Sequence, residues 1–136
     1  TSRHLAYLAR TIYAWAGQVK ALSEFTTVYL HRDVVDFRKS INGLSVIVEQ
    51  GMNLSPYDSA LFVFCNKRRD KLKILYWDKT GFCLWYKRLE QDKFQWPKKS
   101  LDEVIELSSE QMDWLLRGFD IAKLHSHSPK KYGALT

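Results

Sequence analysis

Residues 60–97 read ALFVFCNKRRDKLKILYWDKTGFCLWYKRLEQDKFQWP. Three apolar runs, at 61–65, 72–77 and 82–86, are rich in β-branched and aromatic residues and are separated by short polar connections. Runs of this kind, bounded by Asn, Asp and Gly, are typical of strands joined by tight antiparallel turns. In the second connection Asp78 stands where a turn begins, and Gly81 stands where a positive φ is often required. The stretch therefore predicts a β-meander.

The length and composition are those of one globular domain. The chain has 136 residues, 46% hydrophobic and 14% aromatic, which is enough for a core and too apolar for a disordered chain. No apolar run approaches the roughly 20 residues of a membrane-spanning helix, and the N-terminus lacks a secretory signal pattern. Cys65 and Cys83 lie inside strand runs, where free cysteine behaves as a small apolar residue. We expect a cytoplasmic protein with reduced cysteines and no contact with a membrane.

The positive charge is concentrated in the same stretch. Residues 60–100 contain 11 Lys and Arg against four Asp and Glu, a net charge of +7, whereas the whole chain carries +6 and its remainder therefore −1. Concentrated positive charge beside Trp and Tyr is how proteins contact nucleic-acid backbones and stack on bases. The plainer interpretation is that Lys and Arg solvate the outer face and edges of a sheet. The charge pattern alone leaves both interpretations open.

Residues 1–25 are predicted to carry an amphipathic helix, over residues 3–23. Its large apolar residues recur at spacings of three and four, and they are Leu5, Leu8, Ile12, Trp15, Val19 and Leu22. Three heptads are marginal for an isolated helix in water, so this stripe must bury against another surface. Two partners remain open, the chain's own sheet and a second copy in a homodimer.

Residues 26–121 form the predicted domain, which has two helices beside the meander. A helix near 36–50 is predicted to begin with Asp36 as N-cap and to end at Gly51. A second helix, near 108–118, begins with a capping box of Ser108 and Gln111 and ends at Gly118.

Two further short strands are predicted, Thr26–Leu30 and Val104–Leu107. We therefore predict an α+β fold, with an antiparallel sheet of four or five strands and both helices packed on one face. The predicted core residues are Leu44, Val48, Leu61, Val63, Leu72, Ile74, Leu84 and Leu115.

No catalytic constellation is present in the sequence. It has no P-loop, GxGxxG, HExxH or nucleophile elbow. A three-carboxylate nuclease would need acidic residues at strand ends to hold two metal ions, and Asp33, Asp36 and Asp78 are the available candidates. His125 and His127 form a weak metal pattern in a basic tail, residues 122–136, which we expect to be loosely held. We predict a non-enzyme without a metal or cofactor.

Several motifs follow one another in a fixed order between Val28 and Asp120. The strongest are KILYWD at 73–78, Gly81 followed by Phe82, KRLE at 87–90 and FQWP at 94–97, and they are supported by DFRK at 36–39 with Gly43. With these motifs the chain resembles the TnpB-type accessory proteins of a bacterial insertion-sequence family, whose elements carry a separate transposase. These proteins are unrelated to the RNA-guided nuclease that shares the TnpB name.

The resemblance singles out the motif residues Asp36, Arg38, Lys39, Gly43, Trp77, Asp78, Gly81, Lys87, Arg88, Leu89, Glu90, Phe94, Trp96 and Pro97. Two positions depart from the pattern, because Ser40 and Asp92 stand where many members have Gly. The resemblance implies a role in transposition beside a transposase, and it carries no molecular activity with it.

For that activity we predict DNA binding through the basic meander. Lys87 and Arg88 point to opposite faces of one strand, so one of them lies nearer the core. Arg88 has two possible partners, Glu90 and a phosphate. The residues predicted to contact phosphates are Arg68, Arg69, Lys71, Lys73, Lys87 and Arg88, and those available to stack on single strands are Trp77, Trp85 and Trp96.

Two other functions remain open. Aromatic residues and arginine also dominate protein interfaces, so the alternative is an assembly protein that docks on the transposase. A metal-dependent nuclease is the third possibility.

Overall fold

Five strands form one sheet in the structure, a computed structural model that describes residues 27–121. The predicted N-terminal helix and the tail lie outside these residues. The strands are β1 (Thr27–His31), β2 (Ala60–Cys65), β3 (Lys71–Asp78), β4 (Gly81–Arg88) and β5 (Val104–Leu107). They are ordered β4-β3-β2-β1-β5 across the sheet.

The predicted meander is confirmed, since β2, β3 and β4 are antiparallel neighbours. Its second turn differs in one detail from the prediction. Asp78 pairs with Gly81, and the residue with positive φ is Lys79, at 46°, rather than Gly81. The two-residue loop Lys79-Thr80 thus has its left-handed residue first, which matches the twist of the flanking strands.

The sheet is mixed rather than wholly antiparallel. β1 pairs in parallel with β2 and antiparallel with β5, which places β1 between strands that are distant in sequence. A parallel pair requires a crossover, and residues 32–59 provide it. The crossover contains α1 (Ile41–Val46), which continues as a π-helical turn, Ile47–Gly51.

The two helices lie on opposite faces of the sheet, so their predicted placement on one face was wrong. Leu44 and Val48 of the crossover pack with Phe62, Phe64 and Leu75. The second helix, α2 (Ser109–Leu116), packs on the other face with a cluster that contains Leu61, Val63, Leu72 and Ile74. Every residue of β2 is buried, so both of its faces need cover.

The start of α1 is also later than predicted. The helix begins at Ile41, and Ser40 precedes it without a side-chain cap. The Asp36 carboxylate instead accepts a hydrogen bond from the Arg38 backbone N–H at 2.9 Å, a local turn that competes with helix formation. By contrast, the capping box of Ser108 and Gln111 is confirmed, with bonds of 2.9 and 3.1 Å.

The predicted core is confirmed for seven of its eight residues, which are fully buried in one or the other of the two clusters. The eighth, Leu84, is partly buried against the cluster that contains Leu44 and Val48. Gly118 ends α2 with a φ of 92°, as predicted. Among the described residues, no helix combines the length and the apolar character needed to cross a bilayer.

Candidate nucleic-acid interface

One end of the sheet collects most of the predicted DNA-contacting cations. β2 ends and β3 begins there, and the pairing of Lys71 with Arg88 and of Leu72 with Lys87 brings the end of β4 to the same place. We call this surface the basic end, defined by Lys67, Arg68, Arg69, Lys71, Lys87 and Arg88.

The turn between β2 and β3 is held in shape by Asn66. Its side-chain amide donates to Asp70 Oδ1 at 2.7 Å, and its Oδ1 accepts from the Lys71 backbone N–H at 3.0 Å. Arg69 has a φ of 60° and its N–H donates to the Asn66 carbonyl at 3.0 Å. The basic side chains therefore project from a fixed turn.

The motif residues that follow β4 support this turn. The Leu89 and Phe94 N–H groups donate to the carbonyls of Asp70 and Arg69, both at 2.8 Å. Phe94 is 1% exposed, so the FQWP segment is anchored in the core beneath the turn. The motif thus contributes to the position of the basic side chains.

Most cations of the basic end have no acidic partner among the residues that the structure describes. Within residues 27–121, Lys67, Arg68, Arg69 and Lys71 make no ion pair. Arg88 does pair with Glu90, at 2.9 Å, and hydrogen bonding to that carboxylate raises the pKa of Arg88. Both side chains are more than half exposed, so solvent screens this pair and Arg88 stays accessible.

Four predicted phosphate contacts are partly buried, and they are Arg69, Lys71, Lys73 and Lys87, whereas Arg68 and Arg88 are exposed. The Lys73 ammonium donates to the carbonyls of Phe37 and Lys39, at 3.1 and 2.8 Å, and lies 4.7 Å from the centre of the Phe37 ring. Lys87 is the member of its pair that faces the core side, and burial lowers its pKa. Lys73 therefore holds the crossover to the sheet, and these bonds distinguish it from the cations of the basic end.

The chain after β1 emerges beside the basic end because β1 and β2 are parallel. The Val35 N–H donates to the Cys65 carbonyl at 2.9 Å. One residue later, Asp36 binds the guanidinium of Arg38 through both carboxylate oxygens, at 2.6–3.1 Å. These bonds lower the pKa of Asp36 to about 2.

Between this segment and the basic turn lies a groove of about 620 Å³. Its lining combines apolar side chains with cations, among them Val34, Phe37, Arg38, Lys67 and Arg68. Sequence reasoning missed Val34 and Asn66 as residues of this site. The only signal for Asn66 was its position between an apolar run and a basic turn.

The three predicted stacking residues are separated by the fold. Trp85 and Trp96 are each 6% exposed, and the Trp96 indole donates to the carbonyls of His31 and Arg32 at 3.3 and 3.0 Å. Both are core residues, so their prediction as stacking surfaces is corrected.

Trp77 lies at the opposite end of β3, about 20 Å from Lys71 at 3.3 Å per residue. Its ring is 4.9 Å from that of Tyr57 and 5.0 Å from that of Phe82, and Tyr57 is 57% exposed. We call this cluster the aromatic end, defined by Tyr57, Trp77 and Phe82.

The acidic candidates for a nuclease are not brought together. Asp33 pairs with Arg32 and Asp36 with Arg38, whereas Asp78 is at the β3–β4 turn, beside the aromatic end. In the described part of the chain, no three His, Cys, Asp or Glu side chains are grouped so that they could hold a metal ion. His125 and His127 lie outside that part.

Comparison with known proteins gives three results. The family model described as IS66 Orf2 like protein matches residues 26–126. Two relatives come from Sinorhizobium fredii (strain NBRC 101917 / NGR234). Uncharacterized protein y4jC is 36% identical over 97 residues, which cover 71% of this chain and 82% of the relative. Uncharacterized protein y4hO is 33% identical over 93 residues, which cover 68% and 80%. No solved structure matches the chain.

Proposed function

The chain belongs to the IS66 Orf2-like family of insertion-sequence accessory proteins, and from this premise we propose that it binds DNA through the basic end as a non-catalytic partner of the transposase. In this proposal the cations of the basic end contact phosphates, and the fold presents them on a fixed surface. Such contacts position a protein on DNA and do not by themselves read its sequence.

The observation that carries the proposal is the set of four cations without an ion pair in the described residues, on a turn braced by Asn66. Cations that merely solvate a sheet edge need no fixed backbone. A braced turn lowers the ordering cost of binding, because its backbone does not lose freedom when a ligand arrives.

The test is a binding titration with duplexes from the element's ends and with generic duplex, over a range of salt concentrations. Binding is expected to weaken with salt by a log–log slope of about −0.9 for each phosphate neutralised. Joint replacement Arg68→Gln and Lys71→Gln is expected to weaken binding to all sequences alike and to make the slope shallower by about 1.8.

Lys79→Gln is the matched control, because Lys79 is an exposed cation at the other end of the sheet. It is expected to change DNA affinity far less than Arg68→Gln or Lys71→Gln does on its own. Absence of binding at low salt, or equal effects at the two ends, would refute the proposal.

A second candidate function is docking on the transposase, and the aromatic end favours it. Tyr57 is exposed at a site distinct from the basic end, and aromatic residues are enriched in interface hot spots. The expected result is that the protein co-purifies with the element's transposase after nuclease treatment, and that Tyr57→Ala weakens this complex. Loss of the complex after nuclease treatment would instead indicate that DNA bridges the two proteins.

A further inference from the structure

The groove beside the basic turn is a formed feature with two fixed walls. One wall is the segment 34–38, which is held by the Val35 bond to Cys65 and by the Lys73 bonds to Phe37 and Lys39. The other wall is the turn that Asn66 braces. Because both walls are held by hydrogen bonds, the groove is already formed before a ligand binds.

The lining of the groove is more apolar than phosphate binding requires. Val34 is 43% exposed within it, beside the partly buried Phe37, and Lys67, Arg68 and Lys71 line the opposite wall. Phosphates of a duplex need cations and no apolar surface. In an unpaired strand the faces of the bases are accessible as well, and they bind apolar and aromatic surfaces.

We propose that this groove binds an unpaired single strand of DNA, with its phosphates on the cations and its bases against Val34 and Phe37. The inference rests on the proposed function and deepens it, since it names the form of DNA that the basic end takes. Charge complementarity supports the occupant, because four cations line the groove and Asp36 is its one carboxylate.

Arg38 adds a third contact of the right chemistry. Asp36 occupies Nε and one hydrogen of Nη2, which leaves both hydrogens of Nη1 and one of Nη2 for a ligand. The Arg38 side chain is 91% exposed, so this planar group is accessible from solvent. A guanidinium held in this way binds a phosphate or a base edge with two bonds, and its flat face stacks on a base.

The experiment compares a short labelled single strand of mixed sequence with its duplex, at one salt concentration, on the full chain. The unmodified protein is expected to bind the strand more tightly than the duplex. Val34→Ser is expected to weaken strand binding about 4- to 15-fold, the loss expected for one or two methyl contacts, and to weaken duplex binding much less. Val46→Ser is the matched control, because Val46 is 47% exposed on α1, outside the groove, and it is expected to have no effect.

A second variant, Arg38→Lys, keeps the charge and removes the planar group, and it is expected to weaken strand binding more than duplex binding. Thermal melting confirms that each variant is folded. An acidic peptide of matched charge is added as a competitor, and it is expected to displace the strand poorly.

The possible outcomes are distinct. Tighter duplex binding, or equal effects of Val34→Ser on both forms, would overturn this inference and leave the proposed function standing. Efficient displacement by the acidic peptide would overturn it in favour of a protein ligand. If neither form of DNA binds, the proposed function fails first, and the inference fails with it.

Discussion

At the scale of single residues, Asp36 shows how one side chain has a different role from the one that its position predicts. Its place before an apolar run indicates a helix N-cap, yet its carboxylate binds Arg38 instead. The exchange has a physical basis, because Asp readily bonds to the backbone two residues on and the guanidinium offers two further donors. The result is an arginine held in one orientation at the rim of a groove.

This pairing predicts an acidic shift for Asp36 that nuclear magnetic resonance can measure. The pKa of Asp36 is expected at about 2, because Arg38 donates to its ionised form. Its contribution to stability is therefore present above the ordinary pKa and is lost as the pH falls towards 2. Arg38→Gln should return the pKa of Asp36 towards 3.8, whereas Arg88→Gln should leave it unchanged. A value near 3.8 in the unmodified protein would contradict the pairing.

At the scale of elements, the sequence predicted those features that depend on residues close together in the chain. The meander, the capping box and Gly118 were predictable because each depends on a few adjacent residues. The parallel pairing of β1 and the burial of Trp96 were not, since both depend on where a crossover returns. One available signal was overlooked, because the unbroken apolar run of β2 is typical of a strand covered on both faces.

The same crossover leads to a prediction about stability, because Lys73 bonds to it and Lys71, on the same face of β3, does not. Lys73→Met is expected to lower the free energy of unfolding by about 1–3 kcal/mol, because two carbonyls lose a charged donor. Lys71→Met is the matched control and should change it by less than about 0.5 kcal/mol. For DNA affinity we expect the opposite order, in which Lys71→Met weakens binding more than Lys73→Met does. Chemical denaturation of both variants checks the first part, and equal destabilisation would contradict it.

At the scale of the whole molecule, the two ends of the sheet differ in chemistry. The basic end carries cations on a braced turn, and the aromatic end carries an exposed tyrosine. Since the ends are about 20 Å apart along β3, one protein can contact DNA and a second protein at the same time. This arrangement allows the two candidate functions to coexist.

The apolar stripe Leu5, Leu8, Ile12, Trp15, Val19 and Leu22 lies outside the described residues, so self-association through it stays a prediction. If two copies pair through the stripe, light scattering of the full chain gives a mass of about 32 kDa, twice 16.0 kDa. Ile12→Lys should then reduce the mass to that of one chain, because it puts a charge into the buried stripe. Ala6→Lys is the control, because at about 100° per residue Ala6 falls on the face of the predicted helix opposite the stripe. A mass of one chain for the unmodified protein would show that the stripe does not pair two copies.

The position of β1 has a consequence for how the protein is made. β1 leaves the ribosome before its neighbours in the sheet. The edge of β1 that pairs with β5 stays open until Ile105, the partner of Leu30, has been synthesised. At a synthesis rate of about 5–20 residues per second, that interval is about 4–15 s. Hairpins such as β3–β4 close in about 1–10 μs, so the meander is complete while β1 still has an open edge. β1, an interior strand of the finished sheet, is thus synthesised before its two neighbours and is the last of the interior strands to gain both partners. Its second edge therefore stays unpaired longest in the nascent chain.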